Sequence, residues 1–285
     1  MRAMLASVEE VFREAAARWV LVAYFALSTL FVLVFSTAVN LDVVDGALAG
    51  VRLFGKEMRG GPAGVDLDRL VLGFESGFSA VLYLVGTFLA IFSTAHLVPR
   101  LQEKGTVDLY LSRPVGRVPL LLSRYVGGLL LAAANVYYLM GAIWVVVGVK
   151  TGVWNPRFLA GGTVILFAIA VLLAFAFLVG VATSSTAVSI MCAYALFFAS
   201  SVLAAHEKIE AALSSAWSVA LVKGLYWVLP KTAALGQSVV LLASDGMGLG
   251  RRATLPDPLV AFGTTALFGI ASLALSAGLF TRKDF

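Results

Sequence analysis

The stretch Gly50–Glu57, GVRLFGKE, has the spacing of a nucleotide site, G-x-x-x-x-G-K. In a working phosphate loop, backbone N–H groups and the lysine hold the phosphates, and a Ser or Thr hydroxyl after the lysine binds Mg²⁺. Here Glu57 follows Lys56, a carboxylate there repels phosphate, and no strand pattern precedes the motif. The match is a coincidence of spacing. The two histidines, His96 and His206, have no G-x-S-x-G pattern beside them and too little company for a metal site. The single cysteine, Cys192, sits in an apolar run and offers neither a disulfide framework nor ligand spacing. No catalytic residue, no metal and no cofactor is expected on this chain.

Chemistry inside the apolar runs is equally sparse. Asn135, with Tyr137 and Tyr138 beside it, is the strongly polar feature at mid-run. Asn135 and Tyr138 can line a substrate path, or the amide can bond a neighbouring helix, as polar side chains in membranes do. Between their ends the apolar runs carry no Asp, Glu, Lys or Arg, whereas ion-coupled carriers need ionisable groups at membrane depth. Energy for uphill movement is therefore expected from outside the membrane.

The elements that must hold these residues are membrane helices. The 285-residue chain is 60% hydrophobic and 13% charged, with mean hydropathy +0.95; soluble domains carry about 25% charged residues. Its net charge of +5 lies in basic residues at the ends of apolar runs, which suits a bilayer and not nucleic acid. Six runs approach the roughly 20 residues that a span needs: Trp19–Val39, Ser76–Val98, Val126–Val149, Phe158–Ala182, Ala187–Ala205 and Leu259–Phe280. The first is longer than a signal-peptide core, despite the FSTA before Val39. Residues 1–18 carry a Ser7/Glu10 capping box and a one-sided apolar face, which suits either an interfacial helix or an extension of the first span. Residues 207–258 hold two short apolar runs, Ala216–Leu229 and Thr232–Ala243, expected as external re-entrant or interfacial helices. The expected fold is an all-α polytopic membrane protein, one permease-like domain over residues 1–285. Basic density places both termini and the loop 99–117 in the cytoplasm of a cell-membrane protein.

That loop, PRLQEKGTVDLYLSRPVGR, is punctuated as a structure of its own. Lys104 and Gly105 end one helix, Thr106 caps the next with Asp108 in its first turn, and Pro114 stops it. Val107, Tyr110 and Leu111 share one side of that short helix. Two readings remain at this point: an ordinary positive-inside loop, or a rigid knob that passes a push to two spans.

Residues Glu103–Gly128, EKGTVDLYLSRPVGRVPLLLSRYVGG, resemble the signature of ABC type-2 transporter permeases. The likeness rests on Glu103, Gly105, Thr106, Leu109, Leu111, Ser112, Pro114, Arg117 and Arg124. LYWVLPKT (225–232) and the closing LFTRKDF (279–285) are similar to the external helical piece and tail of such proteins. Within the family the chain looks closest to the subgroup with the permease of nitrous-oxide-reductase maturation, though no Met, Cys or His cluster here would hold copper. The resemblance implies a non-catalytic permease subunit of an ATP-driven exporter. It implies a second permease copy, alike or different, and two cytoplasmic ATPase subunits carrying ATP and Mg²⁺. It makes the loop the coupling helix, with Glu103, Gly105, Thr106, Asp108, Leu109, Leu111, Arg113, Pro114 and Arg117 at the ATPase contact. Gln102, where many relatives carry an acid, is a departure. The long external segments leave a second function open: a mechanical subunit that uses ATPase strokes on an external protein and carries no substrate. If a substrate is carried, the apolar spans suggest a lipophilic one.

Overall fold

A computed structural model describes residues 19–44, 47–53, 56–57, 67–102, 116–244 and 258–283, with side chains described from 22 to 37 and from 67 onward in those ranges. The N-terminal 1–18 segment and loop residues 103–115 lie outside them. So do Glu103, Gly105, Thr106, Asp108, Leu109, Leu111, Arg113 and Pro114.

Helix α1, Trp19–Ala38, is followed by a small antiparallel sheet of β1 (Val39–Val44), β2 (Ala47–Leu53) and β3 (Lys56–Glu57). Next comes one long broken rod: α2 (Leu67–Val81), a π-helical turn (Leu82–Gly86), α3 (Thr87–Thr94) and α4 (Leu97–Leu101). Then follow α5 (Arg117–Thr151), α6 (Pro156–Thr183), α7 (Thr186–Leu203), α8 (His206–Ala212), α9 (Ala216–Val228), α10 (Thr232–Ala243) and α11 (Pro258–Arg282).

Among the described residues five units are long and apolar enough to cross a membrane, Leu67–Leu101, α5, α6, α7 and α11, and the bent pair α9–α10 makes a sixth if it is one broken span. Helix α1 is 20 residues long, with its apolar part over Val22–Thr37; at 1.5 Å per residue it measures about 30 Å. Helices α9 and α10 meet at a 53° bend, matching the two short apolar runs. The sheet was not expected. It also corrects the account of GVRLFGKE, because Gly50 lies within β2 and Lys56–Glu57 form β3, paired back onto Leu53 and Arg52. A strand does carry the motif, but it leads into a hairpin instead of a helix N-terminus, so the phosphate-binding geometry is absent.

Local sequence fixes the breaks. Pro99 has no N–H to offer Ala95, so the rod turns at Ala95–His96 before α4. Gly152 ends α5 in the left-handed region at φ 77°. Asn155 caps α6, its side chain accepting from Arg157 N at 3.1 Å, with Pro156 at the first helical position. Helix α6 is the hub, packing on α11, α10, α5 and α7. Phe158, Ile165, Ile169, Leu173 and Phe177 are fully buried along it.

The rod and α5 each run 35 residues, about 52 Å, far beyond a hydrocarbon core of about 30 Å. The sequence windows beginning at Ser76 and Val126 therefore cut both helices short. Two ionisable residues just outside those windows are in fact buried within the helices, Glu75 at 0% and Arg124 at 3% exposure. The charge-free description holds for the windows and not for the helices. One carboxylate oxygen of Glu75 is paired: Asn155 Nδ2 donates to its Oε2 at 2.8 Å and to the Ala243 carbonyl at 2.9 Å, tying α2, the α6 cap and the end of α10, while Oε1 is buried with no hydrogen-bond partner among the described residues. Asn155→Ala should lower stability by about 2–4 kcal/mol, through an uncompensated buried carboxyl and a lost cap. Glu75→Gln should cost under about 1 kcal/mol. Thermal unfolding in micelles would separate the two; equal losses would refute the pairing.

The stretch GFESG, residues 73–77, has the small-xxx-small spacing of a close helix contact, but among the described residues nothing lies within 4 Å of a Cβ at Gly73 or Gly77.

Candidate functional site

The described ends of the 99–117 loop converge on two helix C-termini. Helix α6 ends at Thr183, with Ser184 left-handed at φ 54° and its N–H bonded to the Gly180 carbonyl at 2.9 Å. Such an end leaves carbonyls unpaired and carries partial negative charge, so donors and cations are favoured there. Gln102, one residue beyond α4, donates Nε2 to the Gly180 carbonyl at 3.0 Å. Lys283, just past α11, donates Nζ to the Val181 carbonyl and Ser184 Oγ, both at 2.7 Å, and to Gln102 Oε1 at 2.6 Å. Ser184 Oγ donates to the same Gln102 oxygen at 2.7 Å.

On the other side of the loop, Arg117 opens α5. Its guanidinium donates to the Thr281 carbonyl at 3.1 Å and the Lys283 carbonyl at 2.9 Å. A cation thus caps the α11 C-terminus just as Lys283 caps α6. Backbone approach is close as well. A Cβ on Gly180 would lie 3.4 Å from Pro99 Cγ and 3.1 Å from Ser189 Oγ. Gln102, Lys283 and Arg117 therefore link both ends of the loop to the C-terminal ends of α6 and α11. The contact residues expected between 103 and 115 lie outside the described residues; only Arg117 is placed. Gln102, Ser184 and Lys283 were missed as a group. Lys283 belongs to a tail noted only for its likeness, and nothing in sequence spacing shows that positions 102 and 283 meet.

Asn135 and Tyr138 are placed too. Asn135 is 1% exposed and accepts from Ser28 Oγ at 3.1 Å, an α1–α5 bond of the kind expected. Tyr138 shares a 3.0 Å hydrogen bond with Thr29 Oγ1 on the more exposed side of the same pair. Asn135 lines a cavity between α1, the rod and α5; Tyr138 does not.

At the α9–α10 bend, three elements hold the backbone of Leu229–Thr232. Ser200 Oγ of α7 donates to the Pro230 carbonyl and accepts from Thr232 N at 3.2 Å. Thr265 of α11 accepts from Lys231 N at 2.9 Å, and Tyr83 OH donates to the Thr232 carbonyl at 2.6 Å. The Lys231 ammonium turns back onto the Tyr226 carbonyl and lies 3.7 Å from the Tyr226 ring centroid, whose other neighbour is His206, stacked at 3.7 Å. This lysine closes a helix C-terminus. Among the described residues no group of His, Cys, Asp and Glu could hold a metal ion.

No curated protein matches the chain. The model for "ABC-2 family transporter protein" matches residues 5–206, which include α1, the sheet, the rod, the 99–117 loop and helices α5 to α7. With that match over more than half its length, the chain belongs to the ABC-2 transporter family and is a multi-pass membrane permease component.

Proposed function

We propose that this chain is the membrane-spanning subunit of an ATP-driven exporter, and that a separate ATPase, carrying ATP and Mg²⁺, docks on the 99–117 loop. The observation that carries the reading is the clamped base of that loop. A displacement of Gln102 or Arg117 cannot stay local, because each is bonded to the end of α6 or α11. Two ATPase copies would serve a pair of permease subunits, alike or different, with the loop and both chain termini in the cytoplasm. The chain performs no catalysis itself. The subgroup likeness brings no role for copper. A cavity at Asn135 favours carriage of a substrate over a purely mechanical role on an external protein.

Affinity purification of the chain from native membranes should bring down an ATP-binding subunit. Combined replacement of Glu103, Gly105 and Arg117 by alanine should reduce its recovery at least tenfold, the equivalent of about 1.4 kcal/mol. Undiminished recovery with the triple variant would place the docking surface elsewhere.

A further inference from the structure

Glu75 faces the interior of the bundle at 0% exposure, one residue before the apolar window that begins at Ser76. Its Oε2 is held by a neutral amide, Asn155 Nδ2, at 2.8 Å. That amide can give nothing more, because its second N–H goes to the Ala243 carbonyl at 2.9 Å. Hydroxyls do not reach Oε1 either. On the same helix Ser76 Oγ donates to the Gly73 carbonyl at 2.8 Å, and Ser79 Oγ makes no hydrogen bond among the described residues. Tyr83, further along the rod, spends its hydroxyl on the Thr232 carbonyl.

The charges of the surrounding elements are turned elsewhere. Helices α1 and α10 carry no Asp, Glu, His, Lys or Arg. At the near end of α5, Lys150 Nζ donates to the Ser36 carbonyl of α1. Arg157 of α6 is exposed, as are Asp68 and Arg69 on α2 itself. An ionised carboxyl sealed from water costs far more than a protonated one, and a group so placed sheds its charge. The proton belongs on Oε1, the oxygen that no amide engages. A proton also needs no cavity.

We propose that Glu75 holds a proton in the folded protein, and that the joint of α2, the α6 cap and the end of α10 is a proton-operated clasp. It is closed on the neutral acid and opened by loss of the proton. Helix α5 runs from Arg117, at the 99–117 loop, to Thr151, so the joint lies at the far end of the bundle and answers to pH there. Opening frees the end of α10, whose other end forms the bend with α9. The sign follows from linkage. An opened glutamate ionises above about pH 4.3, whereas the closed joint keeps its proton. The stability of the joint is therefore full below that pH. Opening then becomes about tenfold easier for each further pH unit, until the closed form itself gives up the proton.

The inference concerns this chain alone and its test needs no ATPase, so its failure and that of the docking proposal are distinguishable. At about pH 6 ordinary carboxyls are ionised. The infrared difference between the full chain in micelles and its Glu75→Gln variant should then show the C=O stretch of one protonated carboxylic acid, present in the wild type only. Amide hydrogen exchange reads the clasp. Between about pH 5 and 7 the rate ratio of wild type to Glu75→Gln at residues 240–244 should rise at least tenfold, since the variant cannot lose a proton. Glu75→Met gives a second neutral reference. No acid band in the wild type would overturn the proposal, and so would an exchange ratio that stays flat with pH. Failure of both neutral variants to fold would show that the joint needs the charge, which also overturns it.

Discussion

Lys283→Met is expected to leave the ATPase bound and to uncouple it, lowering permease-dependent ATPase activity in liposomes at least tenfold. The ammonium makes three hydrogen bonds, to Gln102 Oε1, the Val181 carbonyl and Ser184 Oγ. Bonds to a charged group contribute about 1.5–3 kcal/mol each. The exposed side of the site screens part of that, so a net loss of about 2–3 kcal/mol is the working figure. It falls on the joint between loop and helices and not on the docking surface, so partner recovery should stay within twofold of wild type. Lys283→Arg keeps the charge and should retain most of the coupling. If the methionine variant hydrolyses ATP as the wild type does, force leaves the loop by another route.

Gly236→Val should destabilise the helical body by about 2–4 kcal/mol through overpacking and a broken buried hydrogen bond. A Cβ at this position would lie 2.8 Å from Tyr83 Cε1 and 3.0 Å from Cδ1, and both distances require the ring to move. The ring is held, because it is 6% exposed and its hydroxyl donates to the Thr232 carbonyl at 2.6 Å. Valine thus pushes away the residue that ties the α9–α10 bend to the rod. Thermal unfolding in micelles measures the loss, and Tyr83→Ala offers a cycle: with the ring gone, adding Gly236→Val should cost under about 1 kcal/mol more. Additive losses in the double variant would show that the two residues do not oppose each other.

Much of the helical frame was legible from hydropathy, because a bilayer demands long apolar runs whatever they pack against. The α10 run, Thr232–Ala243, was read with its observed boundaries, and α6 within two residues at either end. What was lost were ionisable groups buried inside the helices, Glu75 and Arg124. Glu75 and Arg124 looked like helix borders because a window of about 20 residues treats a charge as a stop, and it cannot see Asn155 waiting 80 positions away. Strands β1 to β3 were missed because Gly46, Gly50 and Gly55 break the alternation that marks a strand pattern. For the functional site, punctuation by Gly105, Thr106 and Pro114 marked the loop, and Arg117 was named with it. Gln102, Ser184 and Lys283 stayed hidden because their role exists only where three chain segments meet.

The central claim, that a separate ATPase drives this permease through the 99–117 loop, is tested most directly by site-specific photo-crosslinking in native membranes. A photoreactive amino acid at Leu109 should capture a protein that is itself labelled by an azido-ATP analogue. The same group at Trp154, in the α5–α6 turn at the opposite end of the bundle, should capture none. An ATP-binding adduct at Trp154 with none at Leu109 would contradict the account.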